Sequence, residues 1–237
     1  MTLLVLASGQ SNMNGAGTGG PLVSRIRRVK AWNNVNNGGA DGTAWVTPSA
    51  GNPPLHVSGY NNLAIWFCHR LALETDQDVR LVMVSYGGKA ISAWSPTAPG
   101  EMWSELVAVC TAAGIGPADI FLWHQGEQDA ILGTSSASYQ AQFVAMTDAL
   151  EASGYLKPTA PRIVGGLCSH DDTMLQELAA ANPLVSYAGK PDPAANQGDD
   201  VHFTGQALAY FGTELYWRQY AAHVGPRVLA GRLDSPL

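Results

Sequence analysis

Serine, histidine and aspartate residues near opposite ends of the chain have the types that together activate a hydroxyl nucleophile. Ser11 lies in the segment GQSNM, directly after a short apolar run, and His202 lies in the segment GDDVHFT. A serine hydroxyl is a weak nucleophile until a base removes its proton, and histidine is the side chain that most often acts as that base. The sequence therefore predicts Ser11 as nucleophile and His202 as general base.

The carboxylates next to His202 are candidates for orienting its imidazole. Asp199 precedes His202 by three residues. On a loop that enters a helix, this spacing lets the carboxylate turn back to the ring Nδ1–H while Nε2 faces the serine. Asp200 is the alternative, although it could instead cap the helix or face solvent. We predict Asp199 as the orienting acid, because a carboxylate at this distance and a helix start favour a catalytic histidine over a structural one.

Two further segments could supply hydrogen-bond donors to the oxyanion that acyl transfer generates. The segment YGGKAISAW contains Gly87 and Gly88, where a bare backbone N–H can approach a substrate, although a glycine pair alone is typical of an ordinary turn. The segment WHQGEQD contains Gln125, whose side-chain amide is a neutral donor. Gly87, Gly88 and Gln125 are therefore candidate donors of an oxyanion hole.

Alternating strand and helix patterns must position these residues. Apolar, β-rich runs predict buried parallel strands at 2–6, 79–85, 120–123 and 162–167. Apolar spacings of three and four predict helices at 62–74, 103–113, 138–153, 173–181 and 204–221, the last with Thr204 as N-cap. This alternation predicts the α/β class, with a central parallel sheet in a three-layer α/β/α arrangement. Sites in such sheets form outside the carboxyl ends of strands, where Ser11 lies.

A long segment at 14–60 interrupts this alternation. It is rich in Gly, Asn, Pro and Thr and far longer than an ordinary connection, which favours a substrate-facing loop region. Trp32 and Trp45 could stack there on sugar rings, or each could simply pin the loop to the body. Gln10 and Glu127, inside the segments GQSNM and WHQGEQD, complete the predicted substrate contacts. Glu127 and Asp129 could instead orient loops by accepting backbone hydrogen bonds.

The order of GQSNM, YGGKAISAW, WHQGEQDA and DDVHFT, from residue 3 to about residue 220, resembles the SGNH hydrolase superfamily. The most similar branch is that of sialate O-acetylesterases and acetylxylan esterases, similar to carbohydrate esterase family 6. The resemblance implies a flavodoxin-like SGNH hydrolase fold and the triad Ser11, Asp199 and His202. It also implies an oxyanion hole formed by the Ser11 backbone N–H, a glycine N–H from Gly87 or Gly88, and a polar side chain of the segment WHQGEQD. The superfamily usually carries an Asn where this chain has Gln128. In the resembling branch the preceding glutamine takes that role, so Gln125 is predicted and Gln128 is the reserve.

Composition limits the other classes of function. The 237 residues are 46% hydrophobic and 14% charged, which predicts one domain over 1–237. A net charge of −6, with basic residues clustered only at 25–30, argues against nucleic acid as a partner. Three scattered cysteines, Cys68, Cys110 and Cys168, predict buried thiols rather than a disulfide framework. The segment HDD at 170–172 lacks metal-site spacing, so we expect no metal and no cofactor.

The sequence shows neither a signal-peptide pattern nor an apolar run long enough to span a membrane, so we expect a soluble protein with no membrane partner and leave its location open.

The predicted reaction is two-step acyl transfer that removes acetyl or similar short acyl groups from an acylated carbohydrate. A non-catalytic carbohydrate-binding module on the same fold is one alternative, and an esterase or lipase for other acyl esters is another. Glu127 and Asp129 as a glycosidase pair is a minor alternative. Oligomeric state is left open.

Overall fold

The computed structural model describes residues 1–17, 19–21, 26–32, 44–48, 62–191 and 196–225. Much of the segment at 14–60, predicted as a substrate-facing loop region, lies outside these residues. The described part contains the strands β1 to β7, which in chain order are Thr2–Gly9, Val29–Trp32, Trp45–Val46, Asp78–Ser85, Ile120–His124, Arg162–Val164 and Val185–Tyr187.

These strands form one mostly parallel sheet in the order β3-β2-β4-β1-β5-β6-β7. Neighbouring strands pair in parallel, except that β2 and β3 are antiparallel. Every residue of β5 is buried, as in a parallel strand that is covered on both faces. The central strands are thus the continuous apolar runs of the sequence.

Helices connect the strands and cover both faces of the sheet. The helices α1 to α8 are Ser11–Asn14, Leu63–Thr75, Glu101–Ala112, Glu127–Leu132, Ser136–Ala152, Thr173–Ala181, Gly205–Tyr210 and Trp217–Val224. A 3₁₀ turn at Ile91–Trp94 follows β4, and a π-helical segment at Phe211–Tyr216 joins α7 to α8. The Thr204 side chain accepts a hydrogen bond from Ala207 N, so Thr204 is the N-cap of α7, as predicted.

The sheet separates two apolar cores, which is the three-layer arrangement predicted from the sequence. Val5 and Ala7 of β1 pack with α2 and the C-terminal helices, whereas Leu6 packs with α3, α5 and α6 on the other face. This alternation follows from the two-residue period of a strand. No helix in the described ranges is long and apolar enough to span a membrane.

Most element boundaries agree with the sequence prediction within two or three residues, and α6 coincides with it. The predicted strand at 162–167 instead ends at Val164, before Gly165 and Gly166. The predicted last helix is interrupted by the π-helical segment. The strands β2, β3 and β7 were not predicted, because they are two to four residues long and carry no clear period.

The strand register brings three chain segments to one edge of the sheet. Gly9, the last residue of β1, pairs with Ser85 at the end of β4 and with His124 at the end of β5. Because β1 lies between β4 and β5, the chain crosses over in opposite directions on either side of it. Ligands in open α/β sheets bind at such a switch point.

Candidate active site

The candidate nucleophile lies at a tight approach between β1 and β5. Gly9 has a φ of +148°, and a Cβ at this position would lie 2.2 Å from His124 O. Gln10 N donates to the same carbonyl at 3.0 Å. Only glycine fits this turn without strain, and the turn places Ser11 as the first residue of α1, with 9% of its surface exposed.

The structure brings Ser11, His202 and Asp199 together. His202 Nε2 lies 2.8 Å from Ser11 Oγ, and His202 Nδ1 lies 2.6 Å from Asp199 Oδ2. Both are hydrogen-bonding distances. The three residues therefore form a continuous hydrogen-bonded row in the order in which a serine, its base and an orienting carboxylate act.

A short loop holds Asp199 and His202 in this geometry. Asp199 Oδ1 accepts hydrogen bonds from Val201 N at 3.0 Å and from His202 N at 2.8 Å. The hydrogen bond from the His202 side chain, assisted by these backbone donors, lowers the pKa of Asp199 to about 2. Asp199 is thus a carboxylate at neutral pH. A carboxylate only accepts hydrogen bonds, so its contact with His202 Nδ1 favours the tautomer that carries a proton on that nitrogen.

Asp200, the alternative acid, has a different environment. Its backbone has a φ of +59°, and its Oδ1 lies 3.5 Å from Asn196 Nδ2, at the limit of a hydrogen bond. The side-chain contact of His202 is with Asp199. The geometry therefore favours Asp199 over Asp200.

The two glycines that follow β4 lie at different distances from Ser11. A Cβ at Gly87 would lie 3.5 Å from Ser11 Cβ, whereas a Cβ at Gly88 would meet nothing within 4 Å. Among the described residues, neither Ser11 N nor Gly87 N donates a hydrogen bond. Gly87 is thus the glycine that lies beside the serine.

Gln125 is placed differently from the prediction. It is fully buried, and its Nε2 donates to Lys89 O at 3.1 Å and to Asp129 Oδ2 at 2.5 Å. A side-chain amide has two hydrogens, so both are engaged. These contacts correct the predicted oxyanion contact, and they make Gln125 a link between the end of β5 and the segment that carries Gly87. Gln128, the reserve candidate, is partly exposed, and its backbone N lies 3.4 Å from Gln10 Oε1.

Two predicted substrate contacts are buried within the site. Glu127 is fully buried; its Oε1 accepts from Asn12 Nδ2 at 2.6 Å and lies 3.7 Å from His124 Nε2. Gln10 is 1% exposed, and its Oε1 lies 3.4 Å from Gly126 N. Both side chains contact neighbouring protein groups, which differs from the predicted substrate contacts and indicates a positioning role.

The two tryptophans lie on the paired strands β2 and β3 at one side of the sheet. Trp32 ends β2 with 8% of its surface exposed, and it packs edge to face against Trp45 with ring centroids 5.5 Å apart. The guanidinium of Arg80 lies 5.0 Å from the centre of the Trp45 ring. The pair joins the edge of the sheet to the core, which is the alternative role considered for both residues.

Asn12 is a polar residue of the site that the sequence analysis did not single out, whereas Asp129 has the loop-orienting contact considered for it. Asn12 bonds to Glu127 and to the backbone on both sides of His202. Asp129 Oδ2 accepts from Ile91 N at 2.8 Å and from Gln125. Asn12 lies inside the segment GQSNM, and that position is the one signal that could have indicated it.

The cysteines are buried and free, as predicted. Burial raises the pKa of Cys110 to about 12 and that of Cys168 to about 11, so neither thiol is poised for chemistry. Within the described ranges, no group of three His, Cys, Asp or Glu residues is arranged to hold a metal ion.

Solved structures share this fold. A protein from Arabidopsis thaliana is similar with a TM-score of 0.68 at 19% identity, over 92% of this chain and 98% of its own. A carbohydrate acetylesterase from Xanthomonas citri gives a TM-score of 0.63 at 18% identity, over 97% of this chain and 56% of its own. NanS gives a TM-score of 0.62 at 16% identity, over 94% of this chain and 96% of its own. At these identities the likeness shows the fold alone.

Sequence comparison shows the family. No curated protein sequence matches the chain. The model of one family, described as carbohydrate esterase, sialic acid-specific acetylesterase, matches residues 1–221. This match confirms the resemblance inferred from the sequence motifs. The chain belongs to this carbohydrate esterase family and is a carboxylic ester hydrolase.

Proposed function

We propose that the chain removes acetyl groups from an acylated carbohydrate through an acyl-enzyme on Ser11. The observation that carries this proposal is the row formed by Ser11 Oγ, His202 and Asp199, with contacts of 2.8 Å and 2.6 Å. Family membership supports the substrate class. The similar proteins named as carbohydrate acetylesterases share the fold that positions this row.

In the first step Ser11 Oγ attacks the ester carbonyl carbon while His202 Nε2 takes the hydroxyl proton. Asp199 stabilises the imidazolium that results. The oxyanion of the tetrahedral intermediate accepts hydrogen bonds from the backbone N–H groups of Ser11 and Gly87. When the intermediate collapses, the bond to the sugar oxygen breaks, and that oxygen takes the proton from His202.

In the second step a water molecule gives a proton to His202 and attacks the acetyl carbonyl of the acyl-enzyme. Collapse of this intermediate releases acetate, and Ser11 Oγ recovers its proton from His202. Every proton transfer uses His202 Nε2, which the structure places 2.8 Å from Ser11 Oγ.

Acetate release from acetylated sialic acid, acetylated xylan and acetylated bacterial polysaccharides tests the proposal. Ser11→Ala should remove this activity, with a loss on the order of 10⁶ in kcat if the triad acts as a unit. A serine-directed phosphonate should label Ser11 stoichiometrically, and melting temperature should show that the variant is folded. Labelling at another serine would contradict the assignment of the nucleophile.

Two other outcomes would point to the alternatives. Faster hydrolysis of long-chain p-nitrophenyl esters than of every acetylated carbohydrate would favour a general esterase or lipase. Carbohydrate binding with no acetate release from any member of the panel would favour a binding module.

A further inference from the structure

Asn12, the residue after the proposed nucleophile, joins two parts of the site. Its Nδ2 donates to Glu127 Oε1 at 2.6 Å and to Val201 O at 2.9 Å, and its Oδ1 accepts from Phe203 N at 3.0 Å. Val201 and Phe203 are the two chain neighbours of His202. One side chain thus holds the backbone immediately before and after the proposed base.

These contacts allow one orientation of the Asn12 amide. In the opposite orientation, the amide oxygen would face the Glu127 carboxylate and the Val201 carbonyl, and the NH₂ group would face the Phe203 N–H. Two acceptors and one donor therefore select the observed arrangement. The hydrogen bond to Glu127 Oε1, at 2.6 Å, is the shortest of the three.

Burial makes these hydrogen bonds costly to lose. Asn12 and Glu127 are both fully buried. A polar group that loses its partner inside a protein cannot recover a bond to water. Ser11 and Asn12 are adjacent in α1, so a bond from Asn12 to the His202 loop fixes the loop relative to the nucleophile.

We propose that Asn12, held by Glu127, is a positioning residue that keeps His202 Nε2 at hydrogen-bonding distance from Ser11 Oγ. This inference rests on the proposed function, because it assigns His202 as the base for Ser11. Asn12 acts through the backbone of the His202 loop, and Glu127 acts through Asn12.

The test exchanges the donor on Asn12 with the acceptor on Glu127. Asn12→Asp sets a carboxylate against Glu127 and leaves Val201 O without its donor, so kcat for acetyl-ester hydrolysis should fall about 10²-fold with little change in KM. Adding Glu127→Gln supplies an amide donor to the new carboxylate, and the double variant should recover roughly tenfold in kcat. Glu127→Gln alone should lose less than Asn12→Asp, because its amide oxygen can still accept from Asn12.

Asn12→Ala removes the side-chain contacts without adding a charge and keeps the test decisive if Asn12→Asp does not fold. It should also lower kcat more than it raises KM. Asn182→Ala is the matched control, because Asn182 Oδ1 accepts a backbone hydrogen bond from Leu184 N at 3.0 Å, before β7. The control should lower the melting temperature with kcat unchanged.

Phosphonate labelling separates the possible failures. The rate at which the reagent modifies Ser11 should fall together with kcat in the Asn12 variants. Folded Asn12→Ala with wild-type kcat and labelling rate, or a double variant no better than Asn12→Asp, would overturn the positioning role alone if Ser11→Ala is inactive. Full activity of Ser11→Ala would overturn the proposed function and the positioning role with it.

Discussion

At the scale of single residues, the two carboxylate oxygens of Asp199 make different contacts. Asp199 uses Oδ2 to hold His202 Nδ1 and Oδ1 to hold the backbone N–H groups of Val201 and His202. The carboxylate therefore fixes both the ring and the loop from which the ring projects. Because its pKa is lowered to about 2, Asp199 stays ionised throughout the weakly acidic range, and any loss of activity between pH 4 and neutrality has to come from another group.

Replacing Asp199 and replacing its neighbour should have different effects. Asp199→Asn removes the charge that stabilises the His202 imidazolium and should lower kcat by up to about 10⁴-fold. Asp200→Asn should leave kcat nearly unchanged, since the side-chain contact of His202 is with Asp199. Steady-state kinetics of the two variants under the same conditions provide the comparison. Equal losses, or a larger loss in Asp200→Asn, would show that the wrong acid was chosen.

At the scale of the elements, residues of the segment WHQGEQD support the segment YGGKAISAW. Asp129 in α4 accepts from Ile91 N, in the 3₁₀ turn that follows Gly87 and Gly88, and from Gln125 at the end of β5. Gln125 in turn donates to Lys89 O. Two of these hydrogen bonds hold the segment that follows Gly87 and Gly88, at Lys89 O and at Ile91 N, and the third joins Gln125 to Asp129. Polar contacts with the end of β5 and with α4 thus support the position of Gly87.

A substitution at Asp129 tests this support. Asp129→Ala removes the acceptor of Ile91 N and Gln125 Nε2, and kcat should fall tenfold or more, with displacement of the Gly87 segment as the cause. Thr134→Ala is the matched control, because Thr134 Oγ1 donates only to the other oxygen, Asp129 Oδ1, at 2.8 Å. Measured kcat values should separate the two variants. A Thr134→Ala loss as large as that of Asp129→Ala would indicate a general loss of order in α4 instead.

At the scale of the whole molecule, the features that could be predicted from sequence are those that depend on contiguous residues. β4, β5 and α6 were predicted because buried strands are unbroken apolar runs and an amphipathic helix repeats its apolar spacing. Ser11, Asp199 and His202 could be selected because each carries its chemistry in its side chain and its immediate neighbours.

Features that depend on distant partners could not be predicted. Gln125 is visibly a donor, but the sequence does not show that Lys89 O and Asp129 occupy both of its hydrogens. The sequence does not show that Glu127 is buried, because its partner Asn12 lies far away along the chain, in α1. The antiparallel pair of β2 and β3 is set by tertiary pairing across a Gly-rich and Asn-rich segment, and propensity is weak there.

The packing of the C-terminal helices on α2 gives a prediction for the molecule as a whole. Gly212 lies in the π-helical segment, and a Cβ at this position would lie 2.3 Å from Leu63 O and 2.6 Å from Trp66 Cβ. Gly212→Ala should therefore force the helices apart and destabilise the fold by about 1 to 3 kcal/mol, which lowers the melting temperature by several degrees. Gly116→Ala is the control, because a Cβ there meets nothing within 4 Å. Because α7 follows the His202 loop directly, Gly212→Ala should also lower kcat modestly. An unchanged melting temperature would contradict the prediction, because it would show that the contact between α2 and the C-terminal helices can relax without cost.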